Sequence, residues 1–125
     1  MSRERISLGR QGEEFACQHL RRLGYRILCQ NYRRRQGEID IVAEDGAVLV
    51  FVEVKTRSGI AFGDPLEAIT LRKRSQIAGT ALQYLAENDC HDRASRFDVV
   101  GVLIKDDGTF TLQLVRDAFS LDMDY

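Results

Sequence analysis

The chain has 125 residues, a mass of 14.2 kDa, a net charge of −1 and 44% hydrophobic residues. That is the size of one domain with its own core, and no apolar run approaches the ~20 residues of a membrane-spanning helix. Met1-Ser2-Arg3-Glu4-Arg5 leads into no secretory apolar region, so the expected compartment is the cytoplasm.

Cys17, Cys29 and Cys90 are odd in number and widely spaced, which favours free thiols over a disulfide framework or a zinc site. His19 and His91 stand at no ligand spacing. The charge is unevenly spread. Residues 1–35 carry nine Arg against three Glu, ending in Arg33-Arg34-Arg35, whereas residues 87–125 sum to −5. A basic amino-terminal third can follow a phosphate backbone, or it can be a solvated surface facing the acidic carboxy-terminal third.

In chain order, Ile6 to Leu23 has helical periodicity, with Gly24 as its stop and Glu13, Ala16 and Leu20 on one stripe. Tyr25 to Tyr32, Ile39 to Ala43 and Val48 to Val54 read as three strands, the last two joined through Glu44-Asp45-Gly46-Ala47. Residues 58–65 form a loop, and Leu66 to Glu87 reads as a second helix with Ile69, Ile77, Ala81 and Leu85 near helical spacing. Residues 88–95 are turn-like. Phe97 to Ile104 and Phe110 to Val115 close the chain as strands, before a short acidic tail expected from Asp117 to be poorly ordered. The order helix, three strands, helix, two strands suits a sheet with a helix on each face.

With Asp45-Gly46 as a two-residue turn, Asp40 opposes Phe51 and Glu38 opposes Glu53. Ile39, Ile41, Ala43, Val48, Val50, Val52 and Val54 then share one apolar face. Asp40 and Glu53 become diagonal neighbours, ~7–8 Å apart along the backbone, with Lys55 two residues further on. Carboxylates so close repel unless a cation or a proton lies between them. A hard cation such as Mg²⁺ or Mn²⁺ fits that need and activates water against a phosphodiester. The plain alternative is a Lys55 salt bridge on a solvated sheet end. By the same measure Glu13 reaches water at the helix end, Lys73 snorkels from its helix, and Asp98 pairs with Arg96 or caps the sheet.

Asp40 followed by Glu53-Val54-Lys55 resembles the PD-(D/E)XK nuclease superfamily, with Ile39 where the superfamily's name has proline. The wider string is Gly9-Arg10-Gln11-Gly12-Glu13-Glu14, Asn31-Tyr32-Arg33, Gly37-Glu38-Ile39-Asp40, Phe51 to Arg57, Phe62-Gly63, Thr70 to Lys73 and Arg96-Phe97-Asp98. It resembles the YraN-like family of small uncharacterised bacterial proteins, over about residues 6–116. That family is similar in fold to archaeal Holliday-junction resolvases.

The resemblance implies an α/β restriction-endonuclease-like three-layer fold, with a central mixed β-sheet flanked by helices in the order αβββαββ. It implies Asp40 and Glu53 as ligands of Mg²⁺ or Mn²⁺, Lys55 as the catalytic lysine, and Glu13 as an extra acidic ligand from the first helix. The expected activity is hydrolysis of DNA, with branched or junction DNA favoured through the resolvase likeness. Arg10, Arg33, Arg34, Arg35, Arg57 and Lys73 are the cations expected against the nucleic acid, and a homodimer is open. The competing expectation is a non-catalytic nucleic-acid-binding module within a repair or recombination assembly.

Overall fold

The computed structural model describes residues 3–59 and 64–120, with side chains from residue 7 onward. Helix α1 spans Arg3–Arg22, followed by strands β1 (Arg26–Arg34), β2 (Gly37–Asp45) and β3 (Val48–Ser58). A 3-10 turn at Pro65–Ala68 precedes helix α2 (Leu71–Glu87), and strands β4 (Ser95–Ile104) and β5 (Phe110–Phe119) complete the chain. The strands form one five-stranded sheet in the order β1-β2-β3-β4-β5. All neighbours are antiparallel except β3 and β4, which run parallel and are joined through α2. This is an α/β protein with a mixed sheet and two helices.

Residues alternating along the strands feed two separate cores. Ala16, Cys17 and Leu20 of α1 pack on Ile41, Ala43, Val50, Val52, Val100 and Val102. Ile77, Ala81 and Leu85 of α2 pack on Val42, Leu49, Phe51, Phe97 and Val99. A fully buried side chain such as Leu20 contributes about 1.5–3 kcal/mol relative to exposure. The period-2 alternation therefore commits each helix to its own face of the sheet.

Helix α1 ends where Gly24 takes φ +98°, with Tyr25 N–H donating to Leu20 O and Gly24 N–H to Arg21 O. Those two bonds are the Schellman pattern, which satisfies the last carbonyls of the helix. Gly12 lies so close to β3 that a Cβ there would meet Thr56 Oγ1 at 1.9 Å, so the helix seats directly on the strand.

Several sequence expectations need correction. The second helix does not begin at Leu66. Pro65–Ala68 is a separate 3-10 turn capped by Asp64, and α2 starts at Leu71, where the Thr70 hydroxyl accepts the Lys73 N–H. Ile69 and Thr70 are both extended, so the turn ends before the threonine cap opens a new helix. Ile69 is buried in the connection. The chain from Asp117 is not a loose tail: β5 continues to Phe119, whose ring stacks on Phe97 at 4.6 Å, and Asp117 N–H donates to Asp98 Oδ1. Residues 121–125, and residues 60–63 of the expected loop, lie outside the described residues.

The hairpin register also differs. Asp45 pairs with Val48 and Val42 with Phe51, so the two turn residues are Gly46 and Ala47. Gly46 has φ +60° at the first central position, the requirement of a type II′ turn. The register therefore moves by two residues, which keeps every side chain from Ile41 to Val52 on its expected face. Ile39 is the exception. It packs in the α2 core beside Tyr32, not with Ile41, because the alternation breaks at Asp40.

Candidate metal and nucleic-acid site

The break at Asp40 is where the site is made. The β2–β3 ladder runs from Asp45–Val48 to Ile41–Val52 and stops. Beyond it Asp40 lies close enough to Glu53 for the two carboxyls to interact, and Glu38 pairs with Arg33 at 3.0 Å. At this point Asp40 Oδ2 accepts the backbone N–H of Val54 at 2.8 Å. A side-chain carboxylate replaces the next strand bond and leaves the two strands forked around two acids.

Glu53 is the strained member. Burial pushes its carboxyl well above the usual range, and the facing Asp40 pushes it in the same direction. The charges of Lys73 and Lys55 pull it back. Glu53 Oε2 is buried and meets no hydrogen-bond donor. An orphaned carboxylate oxygen is costly unless a proton or a cation lies against it. Lys55 is exposed on the same strand, and its charge acts on Glu53. Lys73, in the first turn of α2, is exposed and close enough for its charge to act on Glu53.

Glu13 approaches from α1. Its carboxyl is pushed up to about 7, first by burial and then by the charges of Asp40 and Glu38, against the opposing pull of Arg33 and Arg10. Asn31 links it to β2. With the amide nitrogen turned towards the acids, Asn31 donates to Glu38 Oε1 at 3.0 Å and to Glu13 Oε1 at 3.2 Å. Asn31 has φ +55°, in the left-handed region that Asn tolerates better than most residues. The sequence offered Asn31 only as part of a motif string. Its signal was a short amide in the middle of a strand, where neither β propensity nor core packing calls for one.

Four acids thus occupy one end of the hairpin: Asp40 and Glu53 face to face, with Glu13 and Glu38 bridged by Asn31 beside them. Among the described residues, no group of three or more His, Cys, Asp or Glu side chains is gathered closely enough to enclose a metal ion. The protein donors at hand for a cation are therefore the Asp40–Glu53 pair, with Glu13 a step away.

The cations divide by position. Arg33 is exposed and pairs with Glu38 at 3.0 Å, so it borders the acids directly. Arg10 is exposed on α1 and its charge reaches Glu13. Arg35 and Arg57 are exposed at strand ends. Arg34 is held elsewhere: it forks onto Glu87 at 2.9 and 2.6 Å and lies 4.1 Å over the Tyr32 ring. That contact holds the Glu87 carboxyl down at about 2.

Asp98 lies apart from the site, fully buried on the α1 side of the sheet. It accepts from Arg96 Nε at 2.9 Å, the Tyr25 hydroxyl at 2.8 Å and Asp117 N–H at 3.0 Å. The pairing with Arg96 is the structural role its sequence context suggested.

Fold and site together define a small α/β protein whose mixed sheet carries a forked, acid-lined end bordered by lysine and arginine. The chain belongs to a known family: residues 12–102 match the model described as Uncharacterised protein family UPF0102. It is 46% identical over 125 residues to a UPF0102 protein of Acidothermus cellulolyticus, covering 92% of this chain and 95% of the relative. It is 46% identical over 115 residues to one from Geotalea daltonii, covering 92% and 91%. A UPF0102 protein of Nocardia farcinica is 48% identical over 101 residues, covering 81% and 80%. No helix among the described residues is long and apolar enough to cross a membrane.

Proposed function

We propose that this protein is a metal-dependent nuclease of the restriction-endonuclease-like kind, hydrolysing phosphodiester bonds of DNA. The observation that carries the reading is the buried, partnerless Glu53 Oε2 placed across from Asp40 at a fork in the sheet. A chain selected for stability alone has no use for that arrangement.

The donor set fits Mg²⁺ or Mn²⁺. Both are hard cations that take carboxylate oxygens, and Mg²⁺ commonly uses one or two protein carboxylates with water at its other positions. Asp40 and Glu53 would hold the ion, and Glu13 is near enough to take part through water. When bound, such an ion acidifies water and offsets the negative charge gathering on phosphate.

The remaining work belongs to the chain's own groups. Lys55 presents a positive charge to the reacting phosphate, and Lys73 adds a second from α2. Asn31 fixes Glu13 and Glu38 in place. Arg10, Arg33, Arg35 and Arg57 draw in the backbone without reading sequence. In the overall reaction water adds to phosphorus, the P–O ester bond breaks, and a proton goes to the departing oxygen.

The test is incubation of the purified chain with linear, flapped and four-way DNA in Mg²⁺, in Mn²⁺ and in chelator. Metal-dependent cutting that Asp40→Asn and Lys55→Ala both remove supports the reading. Salt-sensitive binding that ignores metal, with no cutting, replaces it with a non-catalytic binding module.

A further inference from the structure

A groove of about 500 Å³ lies between α1 and the start of β5 and is lined by Arg10, Gln11, Glu14, Phe15, Gln18 and Phe110. Phe15 and Phe110 are both half-buried and meet edge to face, with ring centroids 4.9 Å apart and planes at 82°.

The wall residues are amides, a carboxylate and one guanidinium. Gln18 Nε2 reaches Glu14 Oε1 at 3.4 Å and Gln11 Nε2 reaches Ser7 Oγ at 3.2 Å, both exposed contacts that an incoming group can displace. Gln11 and Gln18 each offer a donor and an acceptor, and Glu14 accepts from exocyclic amines. Arg10 belongs to two places at once: it lines the groove, and its charge reaches Glu13 at the acid-lined fork.

We infer that the groove between α1 and Phe110 is a subsite for one unpaired nucleotide, whose base stacks on one ring of the Phe15–Phe110 pair and meets the other edge-on, while Arg10 holds the adjoining phosphate. The ring faces suit any base, as stacking platforms do, and the amides suit the hydrogen-bonding edge that base pairing would otherwise occupy. A paired base cannot present its face there. The groove thus selects single-stranded or flapped nucleic acid over continuous duplex. This inference rests on the nuclease reading for its biological purpose, but the binding it describes does not need metal or cleavage.

The test measures fluorescence anisotropy of a labelled single-stranded oligonucleotide and of a blunt duplex, in chelator. Phe110→Leu keeps apolar bulk and removes the ring face. Gln18→Ala changes only an exposed side chain and guards against a folding defect in the first variant. The expected result is a loss of about tenfold in single-strand affinity for Phe110→Leu, the scale of one lost stacking contact, and a smaller loss for Gln18→Ala. Duplex affinity stays the same. Equal losses on single strand and duplex, or no loss in either variant, overturn the subsite. Because no metal is present, failure of cleavage in the nuclease assay leaves this outcome readable, and failure here leaves the cleavage assay readable.

Discussion

Asp40 accepts the backbone N–H of Val54 at 2.8 Å, in place of the strand bond that the hairpin register would otherwise form. One carboxylate oxygen is therefore committed to the fold, while the charge of the group acts on Glu53. This divides the residue's duties cleanly. The acceptor role needs an oxygen, and the proposed metal-binding role needs a charge.

Asp40→Asn tests that division. An amide oxygen still accepts the Val54 N–H, and the charge facing Glu53 is gone, so the metal-free variant should melt no lower than the wild type. Cleavage should fall on the order of 10²-fold or more, the scale of losing a key electrostatic contact at a reacting centre. Thermal melting and the DNA assay together check it. A variant that unfolds shows that the charge itself holds the hairpin.

Stability of the metal-free chain should fall as pH rises from 5 to 8. Glu13 titrates at about 7 in the folded chain against 4.5 as its ordinary value, and Glu53 is raised as well. Below 4.5 both folded and unfolded chains carry the Glu13 proton. Between 4.5 and about 7 the unfolded chain releases it first, so stability drops with rising pH, and the Glu13 share is complete above 7. The groups facing Glu13 are Asp40 and Glu38 from β2, Arg33 from β1 and Arg10 from α1. Urea midpoints at four pH values measure the slope. Glu13→Gln should flatten it below pH 7, and Mn²⁺ should raise the midpoint more at pH 8 than at pH 5, because Glu13 has released its proton by then and the ion displaces fewer protons.

How legible these features were depends on the range of the forces that set them. The two helices, five strands and two-sided core follow from local periodicity, and Gly24 and the hairpin follow from backbone preferences of glycine. Asp40, Glu53 and Lys55 stood out because charge in a β-branched run is conspicuous. The register was harder. Asp45-Gly46 and Gly46-Ala47 are both acceptable turns, and a shift of two preserves every face, so patterning could not separate them. Ile39 changed faces because of the Asp40–Val54 bond, which is invisible to a rule based on alternation. Phe119 joined the core through a ring stacked on Phe97, a contact between residues far apart in the chain, which no local signal announces.

Gly12→Ala should destabilise the chain although alanine is the better helix former. Propensity gains about 1 kcal/mol in an exposed helix interior. Here the new Cβ would meet Thr56 Oγ1 at 1.9 Å and Thr56 Cβ at 2.9 Å, so α1 must lift from β3. Overpacking of this kind costs about 1–3 kcal/mol, which outweighs the gain. Thr56→Ala should relieve part of the loss in the double variant, because the threonine hydroxyl and methyl are the nearest atoms but not the only ones. Chemical denaturation of the three variants decides it, and an additive double variant would show that the close approach is not the cause.

The Asp98 network offers a stability prediction independent of the proposed chemistry. Asp98 is fully buried and its carboxylate is matched by Arg96, by the Tyr25 hydroxyl and by the Asp117 N–H, while Arg96 also reaches Asp45 at 2.8 Å. Removing one partner of a buried pair leaves the other charge uncompensated. Asp98→Ala should therefore cost about 3–5 kcal/mol. Tyr25→Phe removes one donor to Asp98 and the acceptor of Arg96 Nη2 and Arg116 Nε but leaves the ion pair standing, so about 1–3 kcal/mol is expected. Because Tyr25 and Asp98 share a bond, the double variant should lose less than the sum of the two. Strict additivity in denaturant unfolding would mean that the Tyr25 hydroxyl acts through Arg96 and Arg116 and not through its bond to Asp98.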